Sequence, residues 1–260
     1  MLRIANAIVR PPSATFADGL TTADLGRPDL GLARDQHAAY CAALEDLGVA
    51  LTHLPPDDAF PDSTFVEDTA VVAPRGVVIT RPGAPPPGGA TAAVAQALRR
   101  PAAPTRALPG NGTVDGGDVC LVGGRYLIGR SGRADDVGAR ALVDALGGRG
   151  SDAAVVDVPA GRLLHLKSGL SGLGGDRVLV DASLVDRPVL AALERITVDP
   201  DEAYAANCIA LNDAVVLPDG FPLTRRRLEA AGLDVRVVGV SEFRKMDGGV
   251  SCLSIRLPAG

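Results

Sequence analysis

The sequence has no tryptophan, few other aromatic residues and only four cysteines. Aromatic residues make up 3% of the 260 residues while 47% are hydrophobic, so Val, Leu, Ile and Ala must form the core. The cysteines form no CxxC pair, and no pair of histidines has metal-ligand spacing. A disulfide framework and a structural zinc site are therefore disfavoured, and we expect reduced thiols.

The chain also lacks a run of basic residues and a long apolar segment. It holds 26 Lys and Arg against 31 Asp and Glu, a net charge of −5 that gives a nucleic-acid backbone little electrostatic support. The apolar stretch at the N-terminus is too short for a signal peptide or a membrane span. We therefore expect a cytoplasmic protein that acts on a small molecule, with neither nucleic acid nor a membrane as its partner.

Short strands and helices recur along the chain. Pairs of β-branched runs around a turn, typical of hairpins, occur at 69–80, 118–130, 171–181 and 208–218. A helical pattern follows each pair, at 91–100, 133–147, 186–196 and 221–232. Further strands are clearest at 153–159 and 234–240. The repeated unit is therefore strand, strand, helix, strand.

The two termini supply a fifth copy of this unit. A strand over 249–257 can pair with 3–10, and a helix over 28–48 and a strand over 49–55 follow. Such a ring leaves no unpaired sheet edge, as in propeller folds. We predict a single domain over 1–260 with an α/β fold of five ββαβ units and pseudo-fivefold symmetry. Two ordinary α/β domains are the alternative.

A polar segment precedes each hairpin. These segments are 61–68, 111–118, 161–169, 204–208 and 243–252. If a rotation axis relates the units, the segments occupy equivalent positions, and their Asp, Glu, His and Cys side chains can converge on one centre. This recurrence predicts an active site.

Cys252 and His165 are the candidates for nucleophilic chemistry. Cys252 falls in the predicted strand VSCLSIRL after a Gly-Gly pair, and a free cysteine taken alone is more often a small buried hydrophobe. His165 taken alone is more often a core histidine. Together they favour catalysis, because a thiol nucleophile needs a nearby base or a lowered pKa. Cys41 and Cys120 are assigned to the core, and Cys208 stays open.

Acidic residues near the hairpins have two interpretations. Helix caps and solvated turns are the ordinary one. A carboxylate beside a catalytic histidine would instead hold its tautomer and stabilise the imidazolium. The acids concerned are Asp62, Glu67, Asp68, Asp115 and Asp118.

Six segments together resemble the dimethylarginine dimethylaminohydrolases of the guanidino-modifying (pentein) superfamily. They are FVEDTAVV, ITRPGAP, DGGDV, HLKSGLS, NCIALN and KMDGGVSCLS, and they follow the expected order through almost the whole chain. The resemblance implies a five-bladed α/β-propeller, which the repeat indicates independently. It also implies hydrolysis of asymmetric dimethylarginine and monomethylarginine to citrulline and dimethylamine or methylamine, through a covalent thiouronium on cysteine.

The same resemblance implies a role for each matching residue. Cys252 matches the nucleophile, His165 the acid/base and Asp115 the carboxylate that orients it. The residues implied to bind the substrate are Leu20 on an entrance loop, the guanidinium-contacting Asp62, Glu67 and Asp68, Arg133 for the α-carboxylate, and Met246 through its backbone. No metal or organic cofactor is implied, although zinc could inhibit by binding thiolate and imidazole. We expect a monomer or a homodimer.

Two positions bear on the substrate. Pro87 stands where the family often has a second carboxylate-binding arginine, so the preferred amino-acid end stays open. Lys167 stands where arginine deiminases carry an aspartate two residues after the histidine, which favours the methylarginine reaction. An arginine deiminase or another guanidine hydrolase on the same fold is the nearest alternative. A catalytically silent module that binds cationic ligands is an alternative of a different class.

Overall fold

The structure, a computed structural model, describes residues 1–73, 76–84, 88–99, 104–146 and 153–259. Within these ranges the chain is an α/β protein with five mixed sheets of three strands each. Every sheet follows one plan: an antiparallel pair of strands, a hairpin in four of the five sheets, in which one strand also pairs in parallel with a third strand. A parallel pair needs a crossover connection, which explains why helices separate the last two strands of most sheets.

The strands and helices have the following bounds. The first sheet contains β15 (Ser254–Pro258), β1 (Ile4–Val9) and β2 (Ala50–His53). The second and third contain β3 (Ala70–Ala73), β4 (Gly76–Ile79), β5 (Thr105–Ala107), β6 (Val119–Val122), β7 (Arg125–Arg130) and β8 (Ala153–Asp157). The fourth and fifth contain β9 (Leu170–Gly174), β10 (Arg177–Val180), β11 (Glu194–Thr197), β12 (Ile209–Leu211), β13 (Ala214–Pro218) and β14 (Asp234–Val238). The helices are α1 (Leu30–Asp46), α2 (Gly88–Leu98), α3 (Asp136–Leu146), α4 (Pro222–Ala230) and α5 (Ser241–Arg244).

Both chain ends lie in one sheet, as predicted. β1 pairs antiparallel with β15 and parallel with β2, so residues from the two ends of the chain share backbone hydrogen bonds. Helix α1 joins β1 to β2; it begins where the Asp29 carboxylate accepts a hydrogen bond of 2.8 Å from the Leu32 N–H. Its buried face includes Ala33, Tyr40 and Leu44, at the spacing of one helix stripe.

The helix predicted over 186–196 is wrong. This segment forms a 3-10 turn at Pro188–Leu190 and then β11, which pairs in parallel with β10. Ile196 and Thr197 are β-branched and suit a sheet, so tertiary pairing overrides the local helical spacing. The fourth sheet therefore lacks the α-helix that the ββαβ unit predicted.

The strand predicted over 249–257 is wrong at its start, because β15 begins only at Ser254. Cys252 lies in a 3-10 turn, Val250–Leu253, instead of a strand. The two preceding glycines explain the difference. A Cβ on Gly248 would collide with the Phe65 ring and one on Gly249 with the Asn207 side chain, so the backbone packs too closely there to be an ordinary strand.

A 3-10 turn precedes the first strand of every sheet. The five turns are Val66–Thr69, Gly116–Asp118, Leu166–Ser168, Pro200–Ala206 and Val250–Leu253. The first contacts the second and the fifth, and the third contacts the second and the fourth. Asn207, directly after the fourth turn, bonds to Ser251 in the fifth. The polar segments of the sequence are thus brought together.

The core is aliphatic, as the composition predicted. The largest cluster packs α1 against β1 and the segment around Phe243, and four further clusters fill the spaces around the other sheets. In the described part of the chain, no helix is both long and apolar enough to cross a membrane.

Candidate active site

Predicted site residues from distant parts of the chain line one cavity of about 370 Å³, called here the first cavity. All of the predicted residues except Glu67 are among those that line it: Leu20, Asp62, Asp68, Asp115, Arg133, His165, Met246 and Cys252. Pro87 lies outside the described residues. The convergence follows from the 3-10 turns, because Asp68, His165 and Cys252 lie within or directly before three of them.

His165 is held by Asp115. The imidazole Nε2 lies 2.9 Å from Asp115 Oδ2, and the two residues are 6% and 2% exposed. The other oxygen of Asp115 accepts a hydrogen bond of 2.8 Å from the Gly83 N–H, so the carboxylate is fixed from two sides. This contact fixes the ring orientation and leaves Nδ1 to exchange a proton.

Carboxylates around His165 stabilise its charged form. Burial alone would lower the pKa of His165, but the charges of Asp68, Asp118 and Asp115 and the bond to Asp115 raise this pKa from 6.5 to about 9. Asp118 also accepts a hydrogen bond of 2.9 Å from the Leu166 N–H, which anchors the turn after the histidine. At neutral pH the imidazole is therefore a cation and can act as an acid.

Cys252 is a buried thiol, 7% exposed, and its Sγ accepts a hydrogen bond of 3.4 Å from the Gly249 N–H. Burial and the negative charges of Asp68 and Glu67 raise the pKa of this thiol to about 12. The thiol is therefore protonated at neutral pH. A cation placed beside it would offset the carboxylates and lower its pKa.

Asp62 presents an open acceptor in the first cavity. Its Oδ2 accepts a hydrogen bond of 3.2 Å from the Leu20 N–H, whereas its buried Oδ1 has no partner among the described residues. Burial raises the pKa of the Asp62 carboxyl, and the charge of the nearby Arg133 partly offsets this rise. A buried acceptor without a partner is costly, so this oxygen suits an N–H donor on a ligand.

Asp68 lies beside both catalytic candidates. Its Oδ1 accepts a hydrogen bond of 2.8 Å from the Gly117 N–H. Burial raises the pKa of Asp68 to about 6, against the opposing charge of His165. The cavity thus offers two carboxylates, Asp62 and Asp68, to a cationic ligand.

Glu67 is the predicted site residue that the structure does not bring to the first cavity. Its carboxylate accepts from Ser251 Oγ at 2.6 Å, lies 2.5 Å from Lys167 Nζ and forms an ion pair with Arg256. Burial alone would raise the pKa of Glu67, but the charges of Lys167 and Arg256 outweigh it and lower the pKa. Both carboxylate oxygens of Glu67 are already bonded, one of them to Ser251, the residue before Cys252. The predicted contact with a guanidinium therefore does not fit this geometry.

Sequence reasoning assigned no role to Asn207, which bonds to two neighbours of this buried acid, Lys167 and Ser251. Asn207 links the segments that carry the two catalytic candidates: its Nδ2 donates to the Lys167 carbonyl and Ser251 Oγ at 3.0 Å each, and its Oδ1 accepts from the Ser251 N–H at 2.9 Å. Asn207 was visible only as a polar residue at a hairpin start. Nothing local in the sequence indicates that it bonds to residues about 40 positions away on either side.

Leu20, Arg133 and Met246 occupy the rim and walls of the first cavity. Leu20 is 56% exposed, on a segment whose backbone bonds to Asp62, and Met246 is buried. The Arg133 N–H donates to Ser131 Oγ at 3.0 Å, and its charge acts on Asp62. These positions fit an opening, a wall and a cationic contact.

Asp68, Asp115 and His165 form the group among the described residues whose ligand atoms lie within 4.8 Å of one another. A metal ion would have to displace the proton from this imidazole, whose pKa is raised to about 9, so proton and metal compete for the group. The absence of a cofactor stays a prediction.

Two relatives of similar sequence carry the same name. The chain is 41% identical over 251 residues to N(G),N(G)-dimethylarginine dimethylaminohydrolase from Pseudomonas aeruginosa, covering 96% of this chain and 98% of that protein. It is 36% identical over 255 residues to the protein of the same name from Streptomyces coelicolor, with 96% of each chain covered. A comparison with protein-family models finds no match.

A solved structure supports the same relationship. The Pseudomonas aeruginosa enzyme, as a cysteine-to-serine variant complexed with citrulline, matches with a TM-score of 0.94 and 39% identity, covering 98% of this chain and 100% of that chain. Sequence identity extends over nearly the full length of both chains, and the two folds superpose throughout. The chain belongs to the dimethylarginine dimethylaminohydrolase family.

Proposed function

We propose that this protein hydrolyses asymmetric dimethylarginine and monomethylarginine to citrulline and dimethylamine or methylamine, through a covalent intermediate on Cys252. The observation that carries the proposal is the buried imidazolium of His165, held by Asp115 in the same acid-lined cavity as the Cys252 thiol. The names of the relatives and the citrulline in the solved structure support the same chemistry.

The finer architecture belongs to this proposal. A single domain over residues 1–260, with five units arranged as a propeller, would place the five 3-10 turns around its axis. The common plan of the sheets and the contacts between successive turns support this arrangement. All four cysteines are free, which suits a reducing compartment, so we place the protein in the cytoplasm. A monomer or a homodimer also belongs to the proposal.

Substrate binding follows from the charges in the first cavity. The guanidinium of asymmetric dimethylarginine keeps N–H groups on only two of its three nitrogens, and Asp62 and Asp68 can accept from them in charge-assisted bonds. Arg133 binds the α-carboxylate, Leu20 covers the entrance and the Met246 backbone contacts the amino-acid end. Holding the planar cation at the thiol supplies several kcal/mol of the barrier reduction through alignment alone.

The first half of the reaction forms the adduct. The bound cation offsets the carboxylates that raise the thiol pKa, so the Cys252 thiol gives its proton to solvent water. The thiolate Sγ then attacks Cζ while the π pair of a C=N bond moves onto nitrogen. The His165 imidazolium then donates a proton to the methylated nitrogen, and the Cζ–N bond breaks with its electron pair on the departing amine. A thiouronium remains on the sulfur.

The second half releases citrulline. Neutral His165 now takes a proton from a water molecule, whose oxygen attacks Cζ. The Cζ–Sγ bond breaks with its electron pair on the sulfur, which takes the remaining hydroxyl proton and becomes the Cys252 thiol again, and the oxygen stays on Cζ as the ureido carbonyl. Asp115 keeps the ring oriented through both transfers.

A comparison of substrates tests the proposed function. We expect citrulline and dimethylamine from asymmetric dimethylarginine and citrulline and methylamine from monomethylarginine, with little ammonia from unmodified arginine. Ammonia, methylamine and dimethylamine released from equal concentrations of the three are quantified separately by chromatography. Ammonia from arginine as the dominant product would support a deiminase instead.

Replacing Asp115 with asparagine is expected to move the pH profile. In the active form, the pair of Cys252 thiol (pKa about 12) and His165 imidazole (pKa about 9) has lost one of its two protons. The first proton leaves this pair near pH 9, so kcat/KM should rise with pH to about 9 and then level off. Asp115→Asn removes a charge and a bond that favour the imidazolium. The rising limb should therefore move to lower pH, and the plateau should fall by about 10²-fold or more because the ring loses its orientation.

The pH profile is measured as kcat/KM between pH 6 and 10.5 for both proteins. Asp136→Asn, a half-buried change at the first residue of α3 and outside both cavities, serves as the control and should leave the limb in place. If the rising part of the kcat/KM profile stays at the same pH in Asp115→Asn, Asp115 is not the carboxylate that raises the pKa of His165.

A further inference from the structure

A second cavity, of about 560 Å³, also reaches the two catalytic candidates. Both His165 and Cys252 line it as well as the first cavity. Leu164, Asp247 and Gly248 also line both cavities, whereas most of the other walls, including Arg162, Ala203 and Arg244, belong to the second cavity alone. The reacting groups therefore stand where two cavities meet.

One chain segment contributes to the walls of both cavities. Leu20 lines the first cavity, whereas Thr22 and Leu25 line the second. The segment is held in place at Thr22, because the backbone N–H and hydroxyl of Thr22 donate to Asp247 Oδ2 at 2.5 and 3.0 Å. Asp247, whose φ is 58°, lines both cavities. Neighbouring residues of this segment thus form part of the wall of each cavity.

The two cavities also differ in charge. The first is lined by five acids, Asp18, Asp62, Asp68, Asp115 and the shared Asp247, against Arg133 and the shared His165 imidazolium. The second carries the cations Arg162, Lys167 and Arg244, and the acid on its wall is the shared Asp247, which Thr22 already engages. Lys167 is paired with Glu67, whereas Arg244 stacks 4.8 Å over the Tyr204 ring. A cationic substrate therefore favours the first cavity and is disfavoured in the second.

The reaction requires an exchange while the first cavity is filled. Once the Cζ–N bond has broken, the amino-acid part of the substrate is still attached to Cys252 and occupies the first cavity. The amine, carrying the proton donated by His165, must leave before a water molecule can take its place beside Nδ1. This exchange needs a path that the bound intermediate does not block.

We propose that the second cavity is this path: it lets the departing amine out and admits the hydrolytic water. The inference rests on the proposed function and adds a one-way order to it, with substrate entering on the acidic side and amine leaving on the basic side. An amine that gains a second proton becomes an ammonium ion, and the cations of the second cavity disfavour its return. Water, being neutral and small, enters freely between the small side chains of the wall.

Filling the second cavity tests the path. Ala203 lines the second cavity only and is half-buried in the turn Pro200–Ala206, so Ala203→Phe places a ring in the path without touching the first cavity. Ala203→Ser is the matched control with almost unchanged volume. Ala160→Phe, at an exposed position of the same cavity, repeats the test should the first variant fail to fold.

The path predicts a defect in breakdown of the adduct. In Ala203→Phe, kcat for asymmetric dimethylarginine should fall about tenfold or more while KM rises no more than about twofold, because exchange at the intermediate becomes limiting. Intact-protein mass spectrometry of acid-quenched, turning-over enzyme should show a larger share of thiouronium adduct than in Ala203→Ser.

Two results would overturn the path: equal kcat and equal adduct share in the phenylalanine and serine variants, or a loss caused by a raised KM alone. An unsubstituted protein that releases no citrulline from asymmetric dimethylarginine would instead overturn the proposed function. An active enzyme whose kcat and adduct share are unchanged by both Ala203→Phe and Ala160→Phe overturns only the path.

Discussion

Replacing Cys252 with serine is expected to abolish citrulline formation from asymmetric dimethylarginine without disturbing the fold. The burial and neighbouring acids that raise the thiol pKa to about 12 would keep the less acidic serine hydroxyl protonated throughout the pH range of the enzyme. A hydroxyl is also the weaker nucleophile. We expect kcat to fall by about 10⁴-fold or more, as when the nucleophile of a covalent enzyme is removed.

The serine variant should still bind the substrate, because Asp62, Asp68 and Arg133 are unchanged. Citrulline is measured by mass spectrometry, binding by calorimetry and folding by the melting temperature. Cys41→Ser is the matched control: this buried cysteine lies in α1, 3.6 Å from His37 Nδ1, and does not line the first cavity. Turnover at the normal rate by folded Cys252→Ser would remove Cys252 as the nucleophile.

The repeat could be predicted because each unit carries its own local signals. Alternating β-branched runs and turn residues located the four internal hairpins, and the same pattern at the two termini predicted the pairing of β1 with β15. The prediction failed at 186–196, where a helical spacing of apolar residues competes with a parallel edge on β10. The spacing of apolar residues along the chain does not show which strand is available for pairing. Here pairing with β10 made the segment a strand.

The candidate site was only partly predictable. Family resemblance selected residues that line the first cavity although they come from distant parts of the chain. It also selected Glu67, whose actual partners are Ser251, 184 positions away, and two cations. A sequence pattern identifies an acid near the centre of the fold, but the direction of its side chain depends on which cations reach it from other units.

Replacing His165 with glycine is expected to divide the reaction into its two halves. Without the imidazolium, the departing dimethylamine has no proton donor, so turnover of asymmetric dimethylarginine should fall by about 10³-fold or more. S-methyl-L-thiocitrulline carries a methylthio group in place of the amine, and this group leaves as a thiolate without being protonated first. We therefore expect it to label Cys252 in the variant. Labelling should rise with pH, because the thiol pKa of about 12 limits the thiolate.

The adduct in His165→Gly should then persist, since the base that activates water for its hydrolysis is also missing. Intact-protein mass spectrometry follows its formation and decay from pH 7 to 10, and added imidazole should speed the decay by occupying the space that glycine leaves. His53→Ala, at an exposed position in β2, should behave as the unsubstituted protein. No labelling of Cys252 at any pH would contradict the division, because the thiol would then depend on His165 for attack and not only for the proton transfers that follow.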